Sequence, residues 1–201
     1  MKKKTTAVLS LIAFCLLTTT VYGVDGKTNA NAFWSGGGLS YSKYAKLKYY
    51  TSRDVTDLGY IGYVNDALNE FDSISNADIG FVKSTGSESW MQIVVDEDNG
   101  SEYARDAYGY MSPWKIDPQT TAYVDASNYE PWDKTKVWLN DWVMNQYNFT
   151  PEQKNKTVIH EIGHVFAMDH QLAGVASVMV QGQLSYPDLK TLDIQNIQWK
   201  Y

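Results

Sequence analysis

The sequence contains very little cysteine and histidine, and it has only one long apolar run. Its single cysteine, Cys15, lies within that run, which covers residues 7–21 and follows three lysines. A short apolar run behind lysines is typical of a secretory signal peptide, and it is too short to span a bilayer comfortably. We therefore expect a signal peptide over residues 1–23, cleavage after Gly23, and a secreted, extracellular mature chain without disulfide bonds.

Positive charge is also scarce. The chain carries a formal net charge of −6, and loss of residues 1–23 removes three lysines and no acid, which gives −9. An acidic surface argues against nucleic acid and anionic membranes as partners, and we expect no stable membrane insertion. With 44% apolar residues, the chain predicts one globular, monomeric domain over residues 33–201, preceded by an N-terminal tail over residues 24–32.

All three histidines lie within eleven residues. His160 and His164 are separated by four positions, so a helix would place both imidazoles on one face, where they can bind one metal ion. Glu161 lies at the edge of that face, within reach of a water molecule at the metal without being a ligand. The pattern H-E-x-x-H predicts a zinc hydrolase in which Glu161 is the general base.

A third ligand requires the helix to end. His170 would lie on the far side of an unbroken helix, so its binding requires a turn near Ala167. Asp169 is the alternative, as an oxygen ligand. No glutamate follows Glu161, which excludes the class of zinc protease whose third ligand is a downstream glutamate.

The spacing H-E-x-x-H-x-x-x-x-x-H, followed by Met179, resembles the metzincin zinc proteases, and the flanking segments resemble the matrixin branch. The family has glycine where this chain has Ala167. The resemblance implies a single α+β domain with a twisted, mostly parallel sheet of about five strands, two long helices and a C-terminal helix. It also implies one catalytic zinc held by His160, His164 and His170, with Met179 as an apolar floor beneath it.

Hydrophobic periodicity predicts the remaining elements. A strand is expected in the tyrosine-rich segment up to residue 50, a helix over 57–73, short strands over 79–82, 90–95 and 121–125, and helices over 151–167 and 188–199. The Gly- and Pro-rich segment 103–129 otherwise predicts long loops. By the resemblance, Ile93, Val94 and Val95 lie on the sheet edge that pairs with substrate, residues 181–187 line the pocket after the cleaved bond, and Tyr186 is a candidate substrate contact.

The sequence also bears on a second zinc site and on a calcium site. Segment 103–129 contains no histidine, so the second, structural zinc that many matrixins hold there should be absent. The acidic loop 96–102 does not fit an EF-hand, and two interpretations stay open, a solvated turn and a calcium site.

The sequence thus predicts a secreted zinc endopeptidase that hydrolyses extended polypeptides. The alternative is an inactive, zinc-stabilised extracellular binding protein. Retention of Glu161 favours the enzyme, because a scaffold needs the metal ligands but not the base.

Overall fold

The computed structural model describes residues 25–96 and 107–201. Its strands are β1 (Gly38–Leu39), β2 (Leu47–Thr51), β3 (Phe81–Lys83), β4 (Met91–Asp96), β5 (Gly109–Ile116), β6 (Tyr123–Asp125), β7 (Pro131–Trp132) and β8 (Lys134–Asn140). Its helices are α1 (Tyr41–Tyr44), α2 (Arg53–Asp57), α3 (Ile61–Asp72), α4 (Asp141–Gln146), α5 (Pro151–Val165) and α6 (Thr191–Lys200), with a 3-10 turn at Asn29–Ala32. The predicted signal peptide lies outside the described residues, as does most of the acidic loop.

Six of the strands form one mixed sheet in the order β3-β2-β4-β8-β5-β6. The β2–β3, β2–β4 and β4–β8 pairs are parallel, whereas β5 runs antiparallel to both β8 and β6. A separate two-stranded sheet joins β1 to β7. The predicted mixed fold with a mostly parallel sheet is therefore confirmed, with six strands in the main sheet instead of about five.

Strand β5 is the main element that the sequence analysis missed. Its Gly, Pro and Tyr residues favoured a loop, but it pairs with β8 along six positions from Gly109 to Trp114. Pairing with β8 satisfies its backbone, and the non-local contact overrides the local preference. Beyond Trp114 the strand continues against β6, so the segment 103–129 contains a hairpin-like pair and not only loops.

The predicted edge role of Ile93, Val94 and Val95 is wrong. These residues lie on β4, which has β2 on one side and β8 on the other. β8 pairs with β4 along its whole length and β2 pairs with it from Met91 to Ile93, so β4 is an interior strand and not the sheet edge that was expected to bind substrate. The edge nearest the histidines is the first half of β5, where residues 109–112 pair with β8 alone because β6 joins this strand only from Trp114 onward.

Two other predicted elements are broken where the backbone turns. The tyrosine-rich segment forms β1, α1 and β2 in succession, because the hydroxyl of Tyr44 accepts from the Leu39 N–H and holds a turn there (2.9 Å). The helix predicted over 57–73 begins only at Ile61, since Gly59 adopts a φ of 76° and separates α2 from α3. A left-handed glycine of this kind ends helices routinely.

The core lies between the sheet and the helices α3 and α5. Aromatic rings fill one end of it: Phe166 stacks on Phe71 with ring centroids 4.8 Å apart and contacts Tyr44 at 5.3 Å. The hydroxyls of Tyr44 and Tyr201 donate to the carbonyls of Val165 and Phe166, at 3.0 and 2.7 Å. Carbonyls at the end of α5, which lack helical partners, are satisfied in this way, and the helix end is fixed in the core.

No helix within residues 25–96 and 107–201 combines the length and the apolar character that crossing a bilayer requires.

Candidate active site

Helix α5 carries the first two histidines and begins as predicted. Thr150 accepts a hydrogen bond from the Gln153 N–H, and the Gln153 side chain accepts from the Thr150 N–H, which completes a capping box with Pro151 at the first helical position. This arrangement satisfies two of the backbone donors that a helix start leaves open. Both His160 and His164 are buried on the face that looks onto the cleft described below.

The chain leaves α5 by a sharp turn at Ala167, whose φ is 58°. The N–H of Met168 donates to the Gly163 carbonyl at 3.2 Å, and the N–H of Ala167 donates to the His164 carbonyl at 2.9 Å. These two bonds define a Schellman motif, which normally has glycine at the position of Ala167. The chain therefore turns where the third-ligand hypothesis requires it, and His170 returns to the other histidines.

The three imidazoles converge. The Nε2 atom of His164 lies 3.1 Å from Nε2 of His160 and 3.1 Å from Nε2 of His170. One ligand atom from each residue falls within 4.8 Å of the others. Tetrahedral zinc ligands about 2.05 Å from the metal are spaced by roughly 3.3 Å, so this cluster has the spacing that a zinc site needs.

Backbone carbonyls fix the protonation of two of these rings. Nδ1 of His160 lies 2.8 Å from the Val178 carbonyl, and Nδ1 of His164 lies 2.8 Å from the Met168 carbonyl. A carbonyl oxygen only accepts, so both Nδ1 atoms carry the proton and both Nε2 lone pairs point into the cluster. Two lone pairs 3.1 Å apart without a proton between them repel each other unless a cation lies there. The residues present therefore fit a zinc ion.

Burial keeps these rings neutral. Desolvation, together with the neighbouring histidines, lowers the pKa of His160 well below its ordinary value and that of His164 to about 3. Burial also lowers the pKa of His170. Neutral imidazole is the form that binds a metal, so burial favours the metal-binding form of all three rings.

Asp169 is a support and not a ligand. Its carboxylate accepts from Trp34 Nε1 at 3.0 Å, from the His170 N–H at 2.8 Å and from Lys27 Nζ at 2.6 Å. The indole of Trp34 in turn stacks on His164, with ring centroids 4.8 Å apart. The alternative of Asp169 as oxygen ligand is thereby disfavoured, because its acceptors are engaged away from the histidine cluster.

Glu161 is buried between α5 and β5. The N–H of Met111 donates to its carboxylate, and a Cβ at Gly109 would lie only 2.7 Å from its Cγ, so glycine is needed there. Burial raises the pKa of the Glu161 carboxyl to about 8, and the Lys156 ammonium and the Met111 N–H act against that rise. Glu161 thus lies in the same cleft as the three histidines, and its burial raises its affinity for a proton.

Met179 lies directly against α5. A Cβ at Gly163 would approach its Sδ to 2.5 Å, so the helix can rest on the thioether only because residue 163 has no side chain. The methionine is fully buried, and its N–H donates to Ser177 Oγ at 2.9 Å. The structure therefore places Met179 under the segment that joins the two helical histidines.

Asp193 of α6 holds the segment before Met179. It is fully buried, accepts from the Val178 N–H at 2.9 Å and from the Lys190 N–H at 3.0 Å, and forms a short hydrogen bond with Ser177 Oγ. The Val178 carbonyl accepts a hydrogen bond from His160, so Asp193 fixes the orientation of the His160 imidazole by holding Val178.

A cleft of about 590 Å³ runs past these groups. It is lined by Glu161, the three histidines, residues 107–111, Trp34, Asn128, Lys156, Thr157, Gln181 and Gly182. Of the pocket wall predicted over 181–187, Gln181 and Gly182 line the cleft. Tyr186 packs against the core beside Lys190 and is not part of this lining, and neither are Ile93, Val94 and Val95.

Lys156 and Trp34 are cleft residues that the sequence analysis passed over. Lys156 lies four positions before His160, so the helical spacing that linked the two histidines could have identified it. Trp34 is brought to His164 only by tertiary contacts, and no sequence signal pointed to that role. The suggested calcium site falls mainly on residues outside those described, and the structure gives it no support.

No protein-family model matches the chain, and no curated protein matches it in sequence. Among solved structures the chain is similar to high choriolytic enzyme 1, a hatching-enzyme zinc protease from the medaka fish Oryzias latipes, with 14% sequence identity and a TM-score of 0.34. The similarity covers 69% of this chain and 50% of that chain, so the chain spans half of the fish enzyme's length. Only the residues of the site therefore indicate a function for this chain.

Proposed function

We propose that the protein is a zinc-dependent endopeptidase of the matrixin-like metzincin type, acting as a monomer. The observation that carries the proposal is the convergence of three neutral imidazoles beside the buried carboxylate of Glu161 in one open cleft. His160, His164 and His170 would hold the metal. When bound there, zinc supplies a Lewis acid that acidifies water and polarises a peptide carbonyl.

Glu161 would act as the general base. It accepts a proton from the attacking water as the water adds to the peptide carbonyl, and it delivers that proton to the leaving nitrogen when the C–N bond breaks. The Met111 N–H orients its carboxylate, and Gly109 leaves room for it. Burial raises the affinity of this carboxylate for the proton that it accepts.

Strand β5 would hold the substrate. The carbonyl of Tyr108 accepts from the Asn140 N–H of β8, and Pro113 accepts from the Ala126 N–H on the opposite side. Backbone groups alternate in direction along an antiparallel strand, so the carbonyls of Gly109 and Met111 also point away from β8, towards the cleft. An extended peptide could accordingly bind there by main-chain hydrogen bonds.

The test uses protein lacking residues 1–23, its chelated form and Glu161→Ala on casein and on quenched peptides. We expect bound zinc in both proteins, cleavage by the wild type alone, and loss of cleavage on chelation. Glu152→Ala is the matched control, since Glu152 is an exposed acid of the same helix. Zinc bound without cleavage by the wild type would favour the binding-protein alternative, and cleavage by Glu161→Ala would refute the role of the base.

Secretion is part of the same proposal, supported by the lysine-led apolar run of residues 1–23. N-terminal sequencing of protein recovered from culture medium should give a start at Val24. Retention of the full chain inside the cell would contradict it.

A further inference from the structure

A buried lysine lies in the wall of the cleft, one helical turn before the first histidine. Lys156 is 3% exposed, and its Nζ lies 2.6 Å from the Val180 carbonyl and 3.4 Å from the Gly182 carbonyl. Gly182 also lines the cleft, so the ammonium is at the boundary between α5 and the wall that follows Met179.

This ammonium lacks a counter-ion among the residues that the structure describes. None of the ion pairs found in residues 25–96 and 107–201 includes Lys156, and Glu161 and Asp193 act on it only at longer range. An ammonium has three N–H donors, and the two carbonyls named above are the acceptors in this part of the chain. A buried charge without a partner is costly, and a carboxylate that enters the cleft would offset that cost.

The charge is retained at neutral pH. Burial lowers the pKa of Lys156 to about 8, and Glu161 and Asp193 act against that decrease. Asp193 cannot turn to neutralise it without giving up its bonds to Ser177, Val178 and Lys190. Glu161 is oriented by the Met111 N–H and faces Gly109 on β5.

We propose that Lys156 makes this cleft selective for peptides that carry an acidic side chain, glutamate or aspartate, next to the scissile bond. The inference rests on the proposed endopeptidase function and names its substrate class. The side-chain carboxylate would accept the remaining N–H of the Lys156 ammonium, while the peptide backbone lies along β5. A charge-assisted hydrogen bond in a desolvated pocket discriminates strongly against a neutral isostere.

A purely structural role for Lys156 predicts something different. If the ammonium only ties the carbonyls of Val180 and Gly182 to α5, its removal would loosen the wall and slow the cleavage of all peptides alike. The ratio of rates on acidic and neutral peptides within one protein separates the two roles, because a loosened wall cancels in that ratio.

The first arm uses the wild-type protein and blocked, quenched peptides with Glu or Gln at each of the two positions flanking the cleaved bond. We expect kcat/KM to be about 10- to 100-fold higher for Glu than for Gln at one of these positions. A free C-terminal carboxylate is the other source of this chemistry, so a Gln peptide with an unblocked C-terminus two residues after the bond is included. A preference for that peptide alone would overturn the side-chain proposal.

The second arm measures the same ratio in Lys156→Met and in Lys46→Met, which removes an exposed lysine outside the cleft lining. We expect the Glu-to-Gln ratio to fall to about one in Lys156→Met and to be unchanged in Lys46→Met. An unchanged ratio in Lys156→Met would overturn the proposal. Lys156→Gln is the second variant if the methionine variant does not fold.

The wild-type arm decides the matter even if neither variant folds. Cleavage of Glu and Gln peptides at equal rates would refute the selectivity and leave the endopeptidase function standing. Failure to cleave any peptide would refute the endopeptidase function itself, and the selectivity with it.

Discussion

Gly163 and Met179 approach each other so closely that no side chain fits between them, since a Cβ at residue 163 would lie 2.5 Å from the methionine Sδ. Gly163 immediately precedes His164, and Met179 immediately follows Val178. The carbonyl of Val178 accepts a hydrogen bond from His160. The contact between Gly163 and Met179 therefore fixes the distance between helix α5, which carries His160 and His164, and the segment that orients His160.

We predict that Gly163→Ala lowers both the free energy of unfolding and the zinc affinity. Alanine is favoured over glycine in a helix by about 1 kcal/mol, but inserting a methyl group into a filled core costs about 1–3 kcal/mol. We expect a net loss of up to about 2 kcal/mol, measured by urea unfolding of zinc-free protein, together with faster zinc loss to a chelator.

Gly62→Ala provides the matched control for that variant. Gly62 lies in α3, and a Cβ there would meet nothing within 4 Å. This substitution should stabilise the protein by about 0.5–1 kcal/mol through helix propensity alone. Stabilisation by both alanines would contradict the tight contact at Met179.

Ala167 supports a second prediction because it is a non-glycine residue in the left-handed region. Glycine would relieve about 1–2 kcal/mol of backbone strain, whereas loss of a buried methyl group costs about 0.8 kcal/mol. We expect Ala167→Gly to change stability by less than about 1 kcal/mol and to keep the metal. Ala167→Val, with a β-branched side chain at the same φ of 58°, should lose more than about 2 kcal/mol and bind zinc poorly. Equal behaviour of the two variants in unfolding and zinc titration would contradict this account.

The sequence was most informative where function and local structure coincide. The helix that carries His160 and Glu161 was predictable because Thr150 and Gln153 form a capping box and because residues four apart share a helical face. The turn at Ala167 was predictable from the position of His170 alone. In both cases the evidence lies within about twenty residues of the chain.

The sequence was least informative where position depends on distant partners. Strand β5 has a loop-like composition, and only its pairing with β8 makes it the edge beside Glu161. Two polar residues, Asp193 and Asn196, form part of the buried face of α6, and the buried acid bonds the segment before Met179. No local pattern reports a contact of this kind.

The next prediction concerns Asp169, which fixes the third histidine from outside the metal cluster. We expect Asp169→Ala to weaken zinc binding by about 10- to 100-fold. The substitution removes the carboxylate that accepts hydrogen bonds from Trp34, Lys27 and the His170 N–H. Competition with a zinc-binding dye would measure this change.

Asp57→Ala is the control for Asp169→Ala. Asp57 forms an exposed ion pair with Arg53 on the surface, so its removal should change neither zinc affinity nor stability by more than about 0.5 kcal/mol. Equal zinc affinities in the two alanine variants would refute the supporting role of Asp169.

The last prediction follows from the buried carboxyl of Glu161 in zinc-free protein. Burial raises its pKa from 4.5 to about 8, so the folded state holds a proton that the unfolded state releases between these values. The stability that this proton contributes is fully present below pH 4.5 and is lost as the pH rises to about 8. Glu161→Gln cannot ionise and keeps its shape, so its advantage over the wild type should grow across this window.

Urea unfolding of chelated wild type and Glu161→Gln at intervals from pH 4.5 to 8 would measure that growth. At 1.36 kcal/mol for each pH unit, the upper limit of the difference is about 5 kcal/mol. The three histidines are present in both proteins, so their own titration largely cancels. Glu152→Gln, at an exposed position of the same helix, should follow the wild type across the window. Parallel stability curves for Glu161→Gln and the wild type would contradict the prediction, because they would mean that the carboxyl is ionised in the folded state. The free-energy cost of burying that charge would then be offset by the Met111 N–H and the Lys156 ammonium.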